Sequence, residues 1–200
     1  MKWCFLIILN CLLVVSGFSQ KFLRPYDRQL DSLYRLLIAE PESLERQQAF
    51  FDLFPANFKD FEHTYGYDKD YSWNDSMYVV HEDHLFNGLA KLDRIKDTVY
   101  YTRLVNLSIG GLWAADAISI LQRIVRERAK EKPDLLFYLL STYPDEKVYS
   151  FWYFYFNSLY PSKEGIPACF TALKGKYPKI YQILERAFKD SDGQATLPYG

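Results

Sequence analysis

The chain has 200 residues, 24 basic and 25 acidic side chains and a formal charge of −1. Without a basic stripe it lacks the electrostatic footprint of a nucleic-acid binder. It also has no polybasic cluster to hold it on anionic lipid.

The first nineteen residues read as an export signal: Lys2, the apolar run WCFLIILNCLLVV, then SGFS with the small Gly17 and Ser19 where a signal peptidase needs them. The run is shorter than the roughly 20 apolar residues that span a bilayer. Asn10 before Cys11 argues against lipid attachment there, so no stable membrane anchor is expected after cleavage. Removing nineteen residues from 200 leaves 181, enough for one domain with a real core. Cys4 and Cys11 leave with the signal, so Cys169 remains and no internal disulfide forms. In IPACFTAL that thiol reads as a small buried hydrophobe. The expected layout is a signal peptide at 1–19, a single helical domain at 20–189 and a flexible tail at 190–200. The expected location is the periplasm, with an extracellular or outer-membrane-associated site as the alternative.

The pattern beyond the signal is helical. RPYDRQLDSLYRLLIAE puts Leu30, Leu33, Tyr34 and Leu37 on one face. Pro41 is expected just inside a second helix, PESLERQQAFFDLF, which Pro55 stops. ANFKDFEHTYGY follows as a short amphipathic segment, and a loop runs on to about residue 74. Further helices are expected at Ser76–Leu92, Thr98–Ile109, Trp113–Lys130, Asp134–Tyr143, Asp145–Tyr160, Ile166–Lys174 and Lys179–Phe188. Prolines 133, 144, 161 and 178 fall in the gaps. Gly110-Gly111 reads as a helix end in left-handed geometry. The run Phe151–Phe156 is aromatic all round, the mark of a central, buried helix. In GGLWAADAISILQ, Ala114, Ala115 and Ala117 are expected to allow close helix approach, with Asp116 capping a backbone group or facing a ligand. The fold expected is all-α, about eight or nine antiparallel helices in a compact bundle or short array.

The one stretch that looks like chemistry is YGYDKDYSWNDSMYVVHEDH, Tyr65 to His84. Asp68, Asp70 and Ser72 begin like a calcium loop, but Trp73 stands where that loop needs Gly and Val79 where it needs Glu. His81 and His84 are spaced i, i+3, whereas a zincin needs i, i+4 with a Glu between. His81 falls within the apolar stripe of Tyr78, Leu85, Leu89 and Leu92, with His84 on its flank. Both read as hydrogen-bonded core histidines, so no metal ligands are assigned. There is no G-x-S-x-G elbow, Walker loop, G-x-G-x-x-G or C-x-x-C, so no catalytic residues and no cofactor are assigned. Tyr67, Tyr71 and Trp73 suit a protein partner, since such rings anchor interfaces. Asp68, Asp70 and Asp75 add an acidic rim that would steer a basic one. These six are the candidate partner-binding residues. The rings also suit a sugar, or simple burial under the loop.

LFPANFKDFEHTYGYD and IGGLWAADAISILQ resemble blocks of small exported helical proteins of Bacteroidota, over most of Asp52–Gln122. Some of those proteins act as immunity partners of toxins delivered by contact-dependent or type VI systems. The triplets Asp31-Ser32-Leu33, Asp75-Ser76-Met77 and Asp97-Thr98-Val99 are similar to the O-glycosylation acceptor motif of the same group. The resemblance implies a periplasmic protein that occludes a toxin's active site. The alternatives are a metal-dependent exported hydrolase and a structural or glycan-contacting envelope protein.

Overall fold

A computed structural model describes residues 24–66, 80–158 and 165–194 of the chain. The fold is all-α, with no strand among the described residues. Helices α1 (Pro25–Ala39), α2 (Leu44–Leu53) and α3 (Phe58–Tyr65) open it. A π-helical segment, Asp83–Gly88, and a 3-10 turn, Leu89–Lys91, lead into α4 (Asp97–Ser108) and α5 (Ala117–Glu131). Then come α6 (Pro133–Leu140), α7 (Asp145–Phe156), the short α8 (Ala168–Thr171) and α9 (Pro178–Gln194).

Local chemistry sets most of these boundaries. Pro25, Pro133 and Pro178 are first residues of helices, where the missing N–H costs nothing. Ser43 caps α2 by accepting from Arg46 N, and Asn57 caps α3 by accepting from Asp60 N at 3.0 Å. Ser43 is why α2 does not begin at Pro41: residues 41 and 42 form the turn before the cap. The expected helix at Trp113 begins instead at Ala117, because 111–114 is irregular and Ala115 is exposed. Only Ala168–Thr171 of the expected Ile166–Lys174 helix is α-helical; turns complete it. At the other end α9 runs on through Gln194, past the point where a tail was expected to start.

The core divides by chemistry. In α7, Phe151, Trp152, Phe154 and Tyr155 are all buried, so the aromatic run is central as its all-round pattern requires. Trp152 meets Phe137 at 5.4 Å and Phe170 at 5.3 Å, while Phe156 meets Phe188 of α9 at 5.0 Å. The α7–α9 pair is the most extensive helix contact described.

Long side chains close the C-terminal ends of other helices. Arg103 of α4 donates to the carbonyls of Phe51, Phe54 and Pro55, and lies 4.4 Å from the Phe51 ring. Burial lowers the pKa of its guanidinium. Gln122 and Arg126, one turn apart on α5, donate to the carbonyls that end α7: Phe154 and Asn157, and Tyr155. Arg128 donates to Ala90 O, and Tyr100 donates to Leu89 O at 2.9 Å. Burial pushes the Tyr100 hydroxyl up to about 12. These contacts cap carbonyls at or just beyond helix ends, and together they stitch α2, the 3-10 turn and α7 to the α4–α5 pair.

Candidate functional site

The six candidate partner-binding residues, Tyr67, Asp68, Asp70, Tyr71, Trp73 and Asp75, lie outside the described residues. Their flanks are described, and they meet in the core. The Tyr65 hydroxyl, at the last turn of α3, sits 3.0 Å from His84 Nδ1, and both side chains are 0% exposed. Residues on either side of the 67–79 stretch are therefore tied to each other.

The expected Ser76–Leu92 helix is helical from residue 80, but with π and then 3-10 geometry. The wider turn carries His84 from the flank of the stripe into the interior; His81 is buried beside it. Gly88 is the last residue of the π segment, and a Cβ there would lie 2.9 Å from Phe50 Cζ and 3.0 Å from Cε1.

Around the imidazole stand Tyr34, with ring centroids 4.6 Å apart, and Phe50, edge-on at 6.0 Å. Asp31 Oδ1 lies 3.5 Å from His84 Nε2. That is beyond the normal N–H···O range, and Nε2 makes no hydrogen bond. It is an electrostatic contact, not a formed bond. A lone pair on Nε2 would face a carboxylate, so the proton belongs there, and Nδ1 accepts from the Tyr65 hydroxyl. The His84 contact, followed by Arg35 at 2.9 Å, holds the Asp31 carboxyl below its ordinary value despite its burial. Burial pushes the Tyr65 hydroxyl well up. One turn earlier, buried Asp27 accepts from Nε and Nη2 of Arg24, and Nη2 also reaches the His63 carbonyl at 3.1 Å.

Sequence reasoning missed Asp27 and Asp31. Their signal was spacing: 27, 30, 31 and 34 make an i, i+3, i+4, i+7 set with Leu30 and Tyr34, so two acids lie on the buried stripe of α1. The Asp31-Ser32-Leu33 triplet thus has its acid in the core, and its Ser32 hydroxyl donates to Arg28 O.

A groove of about 450 Å³ opens on the other side of α3, lined by Phe58, Lys59, Glu62, Leu112 and Trp113 among others. Its far wall is the 109–116 connection. Gly110, with φ +84°, turns out of α4, and its N–H donates to Ser150 Oγ. Gly111 lies so close to Phe154 and Phe58 that a Cβ would come within 2.6 Å and 2.9 Å of them. Trp113 N donates to Asn157 Oδ1 at 2.8 Å. These three tethers present a half-buried Trp113 and a Leu112 that is 61% exposed. Asp116, at φ +59° and ψ −126°, is the N-cap of α5 yet makes no side-chain capping bond.

Among the described residues no group of three or more His, Cys, Asp or Glu is placed to hold a metal ion. No helix among them is long and apolar enough to cross a membrane. No protein-family model matches the chain, and no curated protein or solved structure matches it either.

Proposed function

We propose that this chain is an exported, periplasmic protein-binding module of the immunity type, which occludes the active site of a toxin. The observation that carries the reading is the buried Tyr65–His84 bond, which roots both flanks of an acidic, aromatic stretch in the core. Pre-organising the ends of a recognition segment lowers the entropy lost on binding. Tyr67, Tyr71 and Trp73 supply anchor rings, and Asp68, Asp70 and Asp75 steer a basic partner.

The test is retrieval from periplasmic extract with the wild-type chain, Tyr71→Ala and Trp73→Ala as baits. The expected result is one basic partner whose toxicity the wild-type chain neutralises, bound about 30-fold more weakly by either variant, the loss of one hot-spot residue. Undiminished capture by both variants removes these residues from the interface.

The groove beside α3 supports a second reading, contact with envelope glycans, because Phe58 and Glu62 on α3 and Trp113 on the facing wall line it with rings and a carboxylate. Sedimentation with purified cell-wall material, lost in Trp113→Ala and kept in Trp73→Ala, would separate it from the first.

A further inference from the structure

Helix α7 keeps one face at the surface. Tyr149, Tyr153 and Asn157 recur on it at i, i+4 and i+8 and are each half-buried, while Phe151, Trp152, Phe154 and Tyr155 are closed off. The row spans about 12 Å of helix. On one side of it α9 brings Arg186, whose guanidinium lies 4.4 Å over the Tyr149 ring, and Asp190, whose Oδ2 accepts from the Tyr149 hydroxyl at 2.8 Å. On the other stands the 109–116 connection, held by Ser150, which accepts from Gly110 N, and by Asn157, which accepts from Trp113 N. Asn157 also contacts the Tyr153 hydroxyl. Trp113 in turn lines the groove beside α3 with Phe58 and Glu62. Direct contacts thus lead from Asp190 through Tyr149, Tyr153 and Asn157 to Trp113, where the row on α7 meets the groove.

The chemistry along this surface is regular. Tyr149 and Tyr153 stand one helical turn apart, near-parallel, with ring centroids separated by 5.9 Å. An amide follows at Asn157, and a carboxylate stands at each end, Asp190 and Glu62. Each carboxylate has a cation on its own helix, Arg186 or Lys59, so the surface offers a ligand no net charge. Aromatic rings pack against the apolar faces of sugar rings, while amides and carboxylates bond their hydroxyls. A protein hot spot instead sits in a pocket closed from water, and these side chains are half-exposed along the whole row.

We propose that the glycan site of the groove continues along α7, so that the chain binds an extended, uncharged oligosaccharide with Trp113 at its centre and Tyr153, Tyr149 and Asp190 as outer subsites. The inference rests on the glycan reading of the groove and adds to it a ligand length and a direction.

Calorimetric titration of the mature chain with β-1,4-linked N-acetylglucosamine oligomers of one to six units tests it. Affinity should rise about tenfold from the dimer to the pentamer, the share of one further aromatic contact. Trp113→Ala should weaken every oligomer, whereas Tyr153→Ala should remove the rise and leave the dimer as it was. Asp190→Asn changes an exposed side chain that the core does not need, and it should lower the longest oligomers alone. Equal affinity for dimer and pentamer, or a rise that survives in both Tyr153→Ala and Asp190→Asn, overturns the extension while the groove reading stands. If Tyr153→Ala does not fold, Asp190→Asn decides. Tighter binding of the deacetylated, cationic oligomers overturns the uncharged ligand class. No binding of any oligomer overturns the extension and the groove reading together.

Discussion

Gln47 and His84 are both buried polar side chains that tie the first helices to later parts of the chain, and they are finished differently. Gln47 Nε2 donates to Pro41 O and to Asp93 Oδ1, each at 2.8 Å. Its Oε1 accepts from Asp93 N at 3.0 Å and Arg94 N at 2.9 Å. Every site on that amide is used, so it has no second arrangement to move to. His84 leaves one nitrogen unbonded beside a carboxylate. A closed network specifies one structure, whereas a half-closed one retains a choice. Trp152 Nε1 is likewise buried without a hydrogen bond, but it stands among rings and not beside a carboxylate.

The first way to break the contrast is Gln47→Leu. It keeps the volume and removes four hydrogen bonds, leaving two backbone N–H groups and a carbonyl without partners. Unfolding by urea should show a loss of about 3 kcal/mol. A cost no larger than that of Tyr65→Phe, which removes one bond, would mean that satisfaction does not separate the two sites.

Gly88→Ala probes the packing that holds His84 in place. The new methyl would press on Phe50 Cζ at 2.9 Å and stand 3.5 Å from Tyr34, the two rings that enclose the imidazole. The expected cost is about 2 kcal/mol from overpacking. Chemical shifts of the His84 ring should move, while those of Gln47 stay where they are.

How much of this was legible in the sequence follows from what each residue depends on. Helix type and order come from spacing and from Pro, Ser and Asn at the boundaries, which are local. The burial of Phe151, Trp152, Phe154 and Tyr155 was legible because no face of the run they belong to is polar, although Tyr153 and Phe156 are only half-buried. Two glycines at 110 and 111 marked a helix end, although each serves a different purpose: Gly110 for its φ of +84°, Gly111 for the absence of a Cβ against Phe154. Gln47 lay inside an expected helix, with nothing to show that its partners stand 46 and 47 residues away. His84 was placed at the edge of an apolar stripe by assuming 100° per residue, and the π turn departs from that angle. The link from His84 to Tyr65 is long-range and made by packing, so no local pattern records it.

Asp31→Asn sharpens the comparison through pH. A carboxyl held low in the fold contributes stability that is complete above its ordinary value of about 3.9 and is lost as pH falls through the lower folded value. Urea midpoints of the wild type should therefore fall below about pH 4. The variant should start about 1 kcal/mol lower at pH 7 and lose less in acid.

The smallest effect is expected at Asp116, where a local rule is broken on the surface instead of in the core. A non-glycine residue at φ +59° and ψ −126° is strained, and glycine relieves the strain while adding freedom to the unfolded chain. Asp116→Gly should gain about 0.5 kcal/mol, read as a rise of about 1 to 2 °C in Tm. Trp113 is positioned by the Gly111 wedge and by bonds at Gly110 and Trp113 N, none of which involves the Asp116 backbone angles. Its fluorescence should therefore be unchanged in the variant. A shift in that emission would show instead that the strain at Asp116 holds the groove wall, making it the surface counterpart of the unfinished bond at His84.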